Sequence, residues 1–140
     1  MAKIRKHEIS LVVQEYKLKK YFPDSKSFIR NDELIWKGYL QPSELSQKYL
    51  IKIVYKRERH PDVYVLEPKP LALAEGKISL EHVYDTKTTK TQHICIYYKK
   101  AKEWDETKFI ADKIIPWVSE WLLHYEYWVA TGSWHGGGIH

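Results

Sequence analysis

Lys48-Tyr49-Leu50-Ile51-Lys52-Ile53-Val54-Tyr55-Lys56 alternates without a break. In an extended chain Tyr49, Ile51, Ile53 and Tyr55 share one side, and Leu50, Lys52, Val54 and Lys56 share the other. A period of two built from β-branched and aromatic residues marks a half-buried strand. The loop from Arg57 to Asp62 holds His60-Pro61, which favours a turn. Val63-Tyr64-Val65-Leu66 follows as a second strand and stops at Glu67-Pro68-Lys69-Pro70. Strands joined by so short a connection pair antiparallel, so the centre of the chain reads as a meander.

Working back from it, Phe28 and Arg30, then Leu34 and Trp36, flank the turn-like Asn31-Asp32-Glu33. This predicts a strand or hairpin ending near Tyr39-Leu40, before the turn Gln41-Pro42-Ser43. Over residues 4–22, Ile9, Val12, Val13, Tyr16 and Lys20 recur at helical spacing, with Leu11 and Leu18 broadening the stripe. That predicts an amphipathic helix closed by Pro23-Asp24-Ser25.

Working forward, residues 68–93 lose all regularity, and a loop of that length is usually functional. Its polar run from Asp85 to Thr91 reads as a surface insertion. His93, Cys95 and Tyr97 then alternate with Ile94, Ile96 and Tyr98; if this piece is extended, the first three share a face. Asp105 can N-cap a helix starting near Glu106. Residues 106–131 read as helical with Pro116 inside, which predicts a kink or a break into two helices, the second starting at Pro116. Trp117, Val118, Trp121, Leu122, Tyr125, Trp128 and Val129 form a wide apolar face for packing on the sheet. Asp112, Glu120 and Glu126 oppose the competing reading of an interfacial membrane helix. Gly132 is placed to end the segment.

The 140 residues suffice for a single α+β domain spanning 1–140. With hydrophobic residues at 44% and charged ones at 29%, the chain belongs with ordinary globular proteins. One cysteine cannot form an internal disulfide, which suits a reducing, cytoplasmic setting. The N-terminal stretch has no apolar h-region, and no uncharged run reaches membrane-spanning length. The net charge is +5, but its lysines and arginines are scattered, so a solvated basic surface is expected rather than a nucleic-acid site.

Chemistry converges on Cys95. A thiolate is a strong nucleophile, and a lone thiol near His82 and His93 is a candidate acyl carrier. The competing reading is a small buried core residue. A zinc site from His82, His93 and Cys95 lacks a fourth ligand at the usual spacing. Gly136-Gly137-Gly138 reads as a flexible or tightly turned C-terminus, because the chain ends Ile139-His140.

Helix, meander, long loop with a cysteine, then helices: this order resembles the ubiquitin-conjugating enzyme fold. His82-Val83-Tyr84, Ile94-Cys95-Ile96 and Trp104 resemble that family's histidine stretch, cysteine site and downstream tryptophan. Closer still are the ubiquitin-conjugating-like proteins of bacterial CBASS antiphage operons. Their pattern is echoed by Leu34-Ile35-Trp36-Lys37-Gly38, Pro61-Asp62-Val63, Ile115-Pro116-Trp117, Glu120-Trp121-Leu122 and Thr131-Gly132-Ser133-Trp134.

The resemblance implies an N-terminal helix, a four-stranded antiparallel meander and C-terminal helices. It implies that Cys95 accepts an activated C-terminal acyl group as a thioester and passes it to an amine. Catalytic roles then fall to Cys95, His82 and His93, and substrate binding to Tyr84, Tyr97 and Trp104. For His82, bracing the loop through a backbone hydrogen bond is preferred to acid–base work. The implied partner is a cGAS-like nucleotidyltransferase, engaged through its C-terminus. No nucleotide-binding glycine motif is present, so no cofactor is expected and activation falls to a separate enzyme. The eukaryotic His-Pro-Asn is absent, which leaves oxyanion stabilisation unassigned. The alternative is a non-catalytic scaffold that binds the same partner with Cys95 inert.

Overall fold

A computed structural model describes residues 8–84, 91–97 and 103–134. In chain order the elements are α1 (Leu11–Tyr21), β1 (Lys26–Arg30), β2 (Glu33–Leu40), β3 (Tyr49–Lys56), β4 (Asp62–Glu67), β5 (Gln92–Ile94) and α2 (Ile110–Thr131). The strands form one antiparallel sheet in the order β1-β2-β3-β4-β5. The class is α+β, as expected. The meander has five strands rather than four, because the segment before Gln41 is a full hairpin and Gln92–Ile94 adds an edge strand. Asp85–Lys90, Tyr98 and Gly136-Gly137-Gly138 lie outside the described residues, as does the first part of the helix expected from residue 4.

The hairpin turns on Asn31 and Asp32, with φ of 54° and 60°, between the paired residues Arg30 and Glu33. Two central residues in the left-handed region make a type I′ turn, whose twist matches the strands it joins. Asn and Asp tolerate that region best among residues with a Cβ. β3 behaves as its alternation demands: Tyr49, Ile51, Ile53 and Tyr55 are buried, and Leu50, Lys52 and Val54 are half-buried on the other face. Leu34, Trp36 and Leu40 of β2, Val63 and Val65 of β4, and Ile94 of β5 join that inner face. Onto it packs α2, burying Ile110, Ile114, Val118, Trp121, Leu122, Tyr125 and Trp128.

Gly38 sits two residues from Trp36 on the same face of β2. A Cβ there would lie 2.4 and 2.6 Å from carbons of the Trp36 ring and 3.2 Å from Ser25 Cβ. The indole therefore lies in the space a side chain would occupy, with Phe22 edge-on to it at 5.4 Å.

Three expectations need correction. The stripe Val12, Val13 and Tyr16 of α1 faces outward, with exposures of 67%, 45% and 68%. The buried side is Leu11, Gln14 and Leu18. A polar residue holds the centre of the inner face, which a scan for apolar spacing assigns to solvent. Gln14 is fully buried: its amide nitrogen donates to the Lys108 carbonyl at 2.8 Å, and its oxygen accepts from the Ile110 N–H at 2.9 Å.

The same pair of bonds explains the second correction, the start of α2. Asp105 closes a turn by accepting from the Thr107 N–H and hydroxyl instead of capping a helix at Glu106. The helix begins at Ile110, its N-cap Phe109 has no capping side chain, and Gln14 supplies the missing acceptor from another helix. Third, of the two outcomes expected at Pro116, the break into two helices does not occur: one helix continues through it to Thr131. The roughly 3 kcal/mol that an interior proline costs is offset by burial of Ile114, Ile115 and Val118 beside it, each contributing about 1.5–3 kcal/mol. Gly132 ends the helix in the left-handed conformation at φ 78°, as expected. No described helix is long and apolar enough to cross a membrane.

Replacing Gln14 with leucine strands a buried N–H and a carbonyl, so stability should fall by about 2–4 kcal/mol; urea unfolding checks this. Gly38→Ala should cost about 1–3 kcal/mol through overpacking against Trp36, seen as a lower urea midpoint at unchanged m-value. Burial pushes the Tyr55 and Tyr125 phenols up to about 12 from an ordinary value of 10.0, and raises Tyr49 as well. Above pH 10 the unfolded chain loses protons that the native chain keeps. Stability should hold below pH 10 and fall between pH 10 and 12, by about 1.4 kcal/mol per pH unit for each such tyrosine. Denaturant midpoints across that range check the slope.

Candidate functional site

His82-Val83-Tyr84 lies along the outer edge of β5. Val83 bridges antiparallel to Ile94, the Tyr84 N–H donates to the His93 carbonyl at 2.8 Å, and the Cys95 N–H donates to the His82 carbonyl at 2.8 Å. This backbone pairing sets Tyr84 beside His93 and His82 beside Cys95. Four of the sequence-derived candidates thus meet at one edge of the sheet.

The side chains build on that frame. Tyr64, opposite His93 in the register of β4 and β5, stacks on the imidazole at 4.5 Å with 25° between planes. Tyr84 lies 4.4 Å from the same imidazole. His93 is held between two phenols, and its Nε2 is 3.1 Å from Asp62 Oδ1. Lys52, opposite Tyr64 in β3, reaches over the Tyr64 ring at 5.7 Å. In the same row Lys37 lies opposite Lys52, and Lys26 opposite Lys37, so this face is basic leading up to the site.

Burial, and then electrostatic interaction with Cys95, raise the Tyr84 phenol above its ordinary range. Tyr84 is therefore a proton donor, not a base, at neutral pH. The residue as a whole is half exposed, at 52%.

Cys95 itself is 6% exposed. The acyl-carrier reading expected an accessible thiol, and the structure places a buried one. The cause is local: β5 ends at Ile94, and Cys95, Ile96 and Tyr97 are buried in succession rather than alternately. The shared face expected for His93, Cys95 and Tyr97 therefore does not extend as a strand. The Tyr97 hydroxyl donates to the Pro61 carbonyl, and its ring meets His60 at 4.8 Å and Trp117 at 6.4 Å. Burial drives that phenol well above its ordinary range. Trp104 packs edge-on to Tyr55 at 5.8 Å, within the core.

His82 is buried and adopts φ 56°. Its carbonyl accepts two bonds, from the Cys95 N–H and from the Trp121 indole N–H at 3.1 Å. Its ring lies 4.5 Å from Trp134. A left-handed residue with a Cβ costs about 1–2 kcal/mol, and the doubly bonded carbonyl holds it there. His82 thus braces the chain at Cys95 through its backbone.

Sequence reasoning missed Asp62, Tyr64 and Trp121 as members of the site. Tyr64 and Asp62 join it only through the register of β4 on β5, which no spacing along the chain reveals. Trp121 belongs to the core, as its place in the apolar face predicts, but its indole N–H also reaches the site. Among the described residues, no group of three or more His, Cys, Asp or Glu side chains is placed to hold a metal ion. What the arrangement offers chemically is a thiol, a phenol that stays protonated at the same sheet edge, and an imidazole tied to a carboxylate.

Comparison with curated proteins finds no match. The family model described as Type II CBASS E2 protein matches residues 14–140, which takes in Gln14, the whole sheet, the Cys95 edge and α2. The chain therefore belongs to the family of Type II CBASS E2 proteins.

Proposed function

We propose that this chain is a cysteine-dependent acyl carrier on a ubiquitin-conjugating-type fold, serving CBASS antiphage signalling. Cys95 takes the activated C-terminus of a cGAS-like nucleotidyltransferase as a thioester and passes it to an amine, conjugating or priming that partner. The observation that carries this reading is the backbone pairing of His82-Val83-Tyr84 with His93-Ile94-Cys95, which gathers two histidines and a tyrosine at the edge that holds the single cysteine. Family membership supports it, as does the placement of a helix before the meander and a long helix after it.

In the first half-reaction the Cys95 sulfur attacks the activated carbonyl carbon. A C–S bond forms, and the leaving group, the thiolate of a separate activating enzyme, departs with its electron pair. No cofactor takes part in that exchange. In the second half-reaction an amine attacks the thioester carbon, which is far more electrophilic than an amide. The protein's own contribution is orientation: His82 fixes the backbone at Cys95, and Asp62, His93 and Tyr64 fix Tyr84 at the same sheet edge. A single cysteine fits a reducing, cytoplasmic setting.

The burial of Cys95 favours a second reading, a scaffold that binds the nucleotidyltransferase with its thiol inert. The two readings diverge on one residue. As an acyl carrier, native Cys95 is alkylated by iodoacetamide, and the covalent adduct with the nucleotidyltransferase vanishes on adding reducing thiol. Cys95→Ser then yields an oxyester that survives thiol and breaks in hydroxide, and Cys95→Ala yields no adduct. An adduct that survives thiol in the wild type, or that forms equally in Cys95→Ala, leaves only the scaffold.

A further inference from the structure

We propose that the outer edge of β1 binds a partner protein by strand addition, and that the added strand is a short extended peptide whose apolar residues lie between two acidic ones. The site is separate from Cys95, which follows β5 at the other edge of the sheet, and it does not depend on the acyl-carrier reading.

The two edges of the sheet differ. His82-Val83-Tyr84 covers the outer side of β5, whereas among the described residues none pairs with the outer side of β1. The register says which backbone groups that leaves. Arg30 and Glu33 flank a two-residue turn and so form a hydrogen-bonded pair. Such pairs alternate along an antiparallel ladder, so Phe28 and Lys26 also bond to β2, while the N–H and C=O of Ser27 and Ile29 point outward. Those four groups match two alternate residues of an added antiparallel strand. Beside them runs α1. Glu15 accepts from the Ser27 hydroxyl at 2.8 Å, and Lys19 donates to the Ser25 carbonyl, so helix and strand lie side by side. Between them opens a groove of about 590 Å³ lined by Val12, Glu15, Tyr16, Lys19, Lys26 and Ser27. Val12 and Tyr16 are the apolar residues that α1 turns away from the core.

The chemistry of the occupant follows from the two faces of β1. Residues directly opposite each other project to the same side of a sheet. Ser27 and Ile29 lie on the side of Trp36 and Leu34, where Ser27 meets α1. The two peptide residues opposite them therefore project over the groove toward Val12 and Tyr16, and are apolar. The residue between them lies opposite Phe28, which is 51% exposed on the other side of the sheet, and is aromatic or aliphatic. The residues at either end lie opposite Lys26 and Arg30, which are exposed and, among the described residues, have no ion pair. Opposite charges facing each other across a pair stabilise it, so these two are acidic. The same cations exclude a second copy of the chain. Two β1 strands paired antiparallel about Phe28 set Lys26 against Arg30 twice, and charged edge residues are a device against such self-pairing.

The test titrates the intact chain into a fluorescein-labelled peptide containing Glu-Val-Tyr-Val-Glu and reads anisotropy. Saturable binding is expected with a Kd on the order of 0.1 mM. Methylating both valine nitrogens removes the N–H groups aimed at the Ser27 and Ile29 carbonyls and should weaken binding by at least about tenfold. Methylating the tyrosine nitrogen, which points away from β1, should change it less than about threefold. Lys26→Glu combined with Arg30→Glu should weaken binding at least about tenfold, and should make the chain prefer a peptide with lysines in place of its glutamates. A thermal midpoint verifies the fold of that variant, and the methylated peptides test the wild type without it. Cys95→Ala should bind as the wild type does, whatever becomes of the acyl-carrier reading. Equal effects of the two methylations reduce the binding to charge attraction and overturn the proposal. So does the lack of saturation by about 1 mM chain, or weaker binding by Cys95→Ala, which would put the peptide at the other edge. A wild-type dimer in light scattering that the charge-reversed variant strengthens would make a second copy the occupant, and overturns it too.

Discussion

One buried amide sets the geometry on which the site depends. Gln14 lends its oxygen to the first N–H of α2 and its nitrogen to the carbonyl two residues earlier. An α-helix leaves its first N–H groups unpaired, and Phe109 has no side chain able to serve them. The second helix therefore starts where the first one allows. Once Ile110 is fixed, Trp121 follows eleven residues on, about 16 Å along the axis at 1.5 Å per residue. That places its indole N–H under the His82 carbonyl. A helix-capping interaction at one end of the molecule thus determines where Cys95 sits at another.

The sheet supplies the other half of the frame. Its cross-strand row runs from Lys26 through Lys37, Lys52 and Tyr64 to His93, and each step is a direct pairing. Like charges directly opposite one another oppose pairing. The inner face compensates with buried Trp36, Ile51, Ile53, Val63 and Val65 in the same strands. The row ends in an imidazole between two tyrosines, with a carboxylate on its Nε2. Each ring there limits the rotation of the next.

Much of the fold was legible in the sequence because it obeys local rules. β3 shows in four alternating apolar residues, the hairpin in Asn31-Asp32, and the end of α2 in Gly132. The errors arose where a distant partner overrides such a rule. The inner face of α1 went unrecognised because its central residue is polar, and Gln14 becomes an inward residue only once another helix end is there to receive it. Asp105 resembled a helix cap in sequence but closes a separate turn. Cys95 and the two histidines could be picked out by residue type. Their arrangement could not, because Val83 and Ile94 meet across an intervening loop whose path no periodicity encodes. The burial of Cys95 was equally hidden, since it depends on the chain leaving the strand at Ile94 and turning inward.

The shared carbonyl of His82 has a consequence for how the protein opens. Proteins exchange their amide hydrogens in cooperative units, and a loop beside a short edge strand ordinarily belongs to the least protected of them. Here the Cys95 amide and the Trp121 indole are bonded to the same oxygen. Moving that carbonyl breaks both bonds at once and detaches the sheet edge from the longest helix in the fold. The residue after the shortest described strand is thereby tied to α2, and its amide is expected to exchange together with that helix.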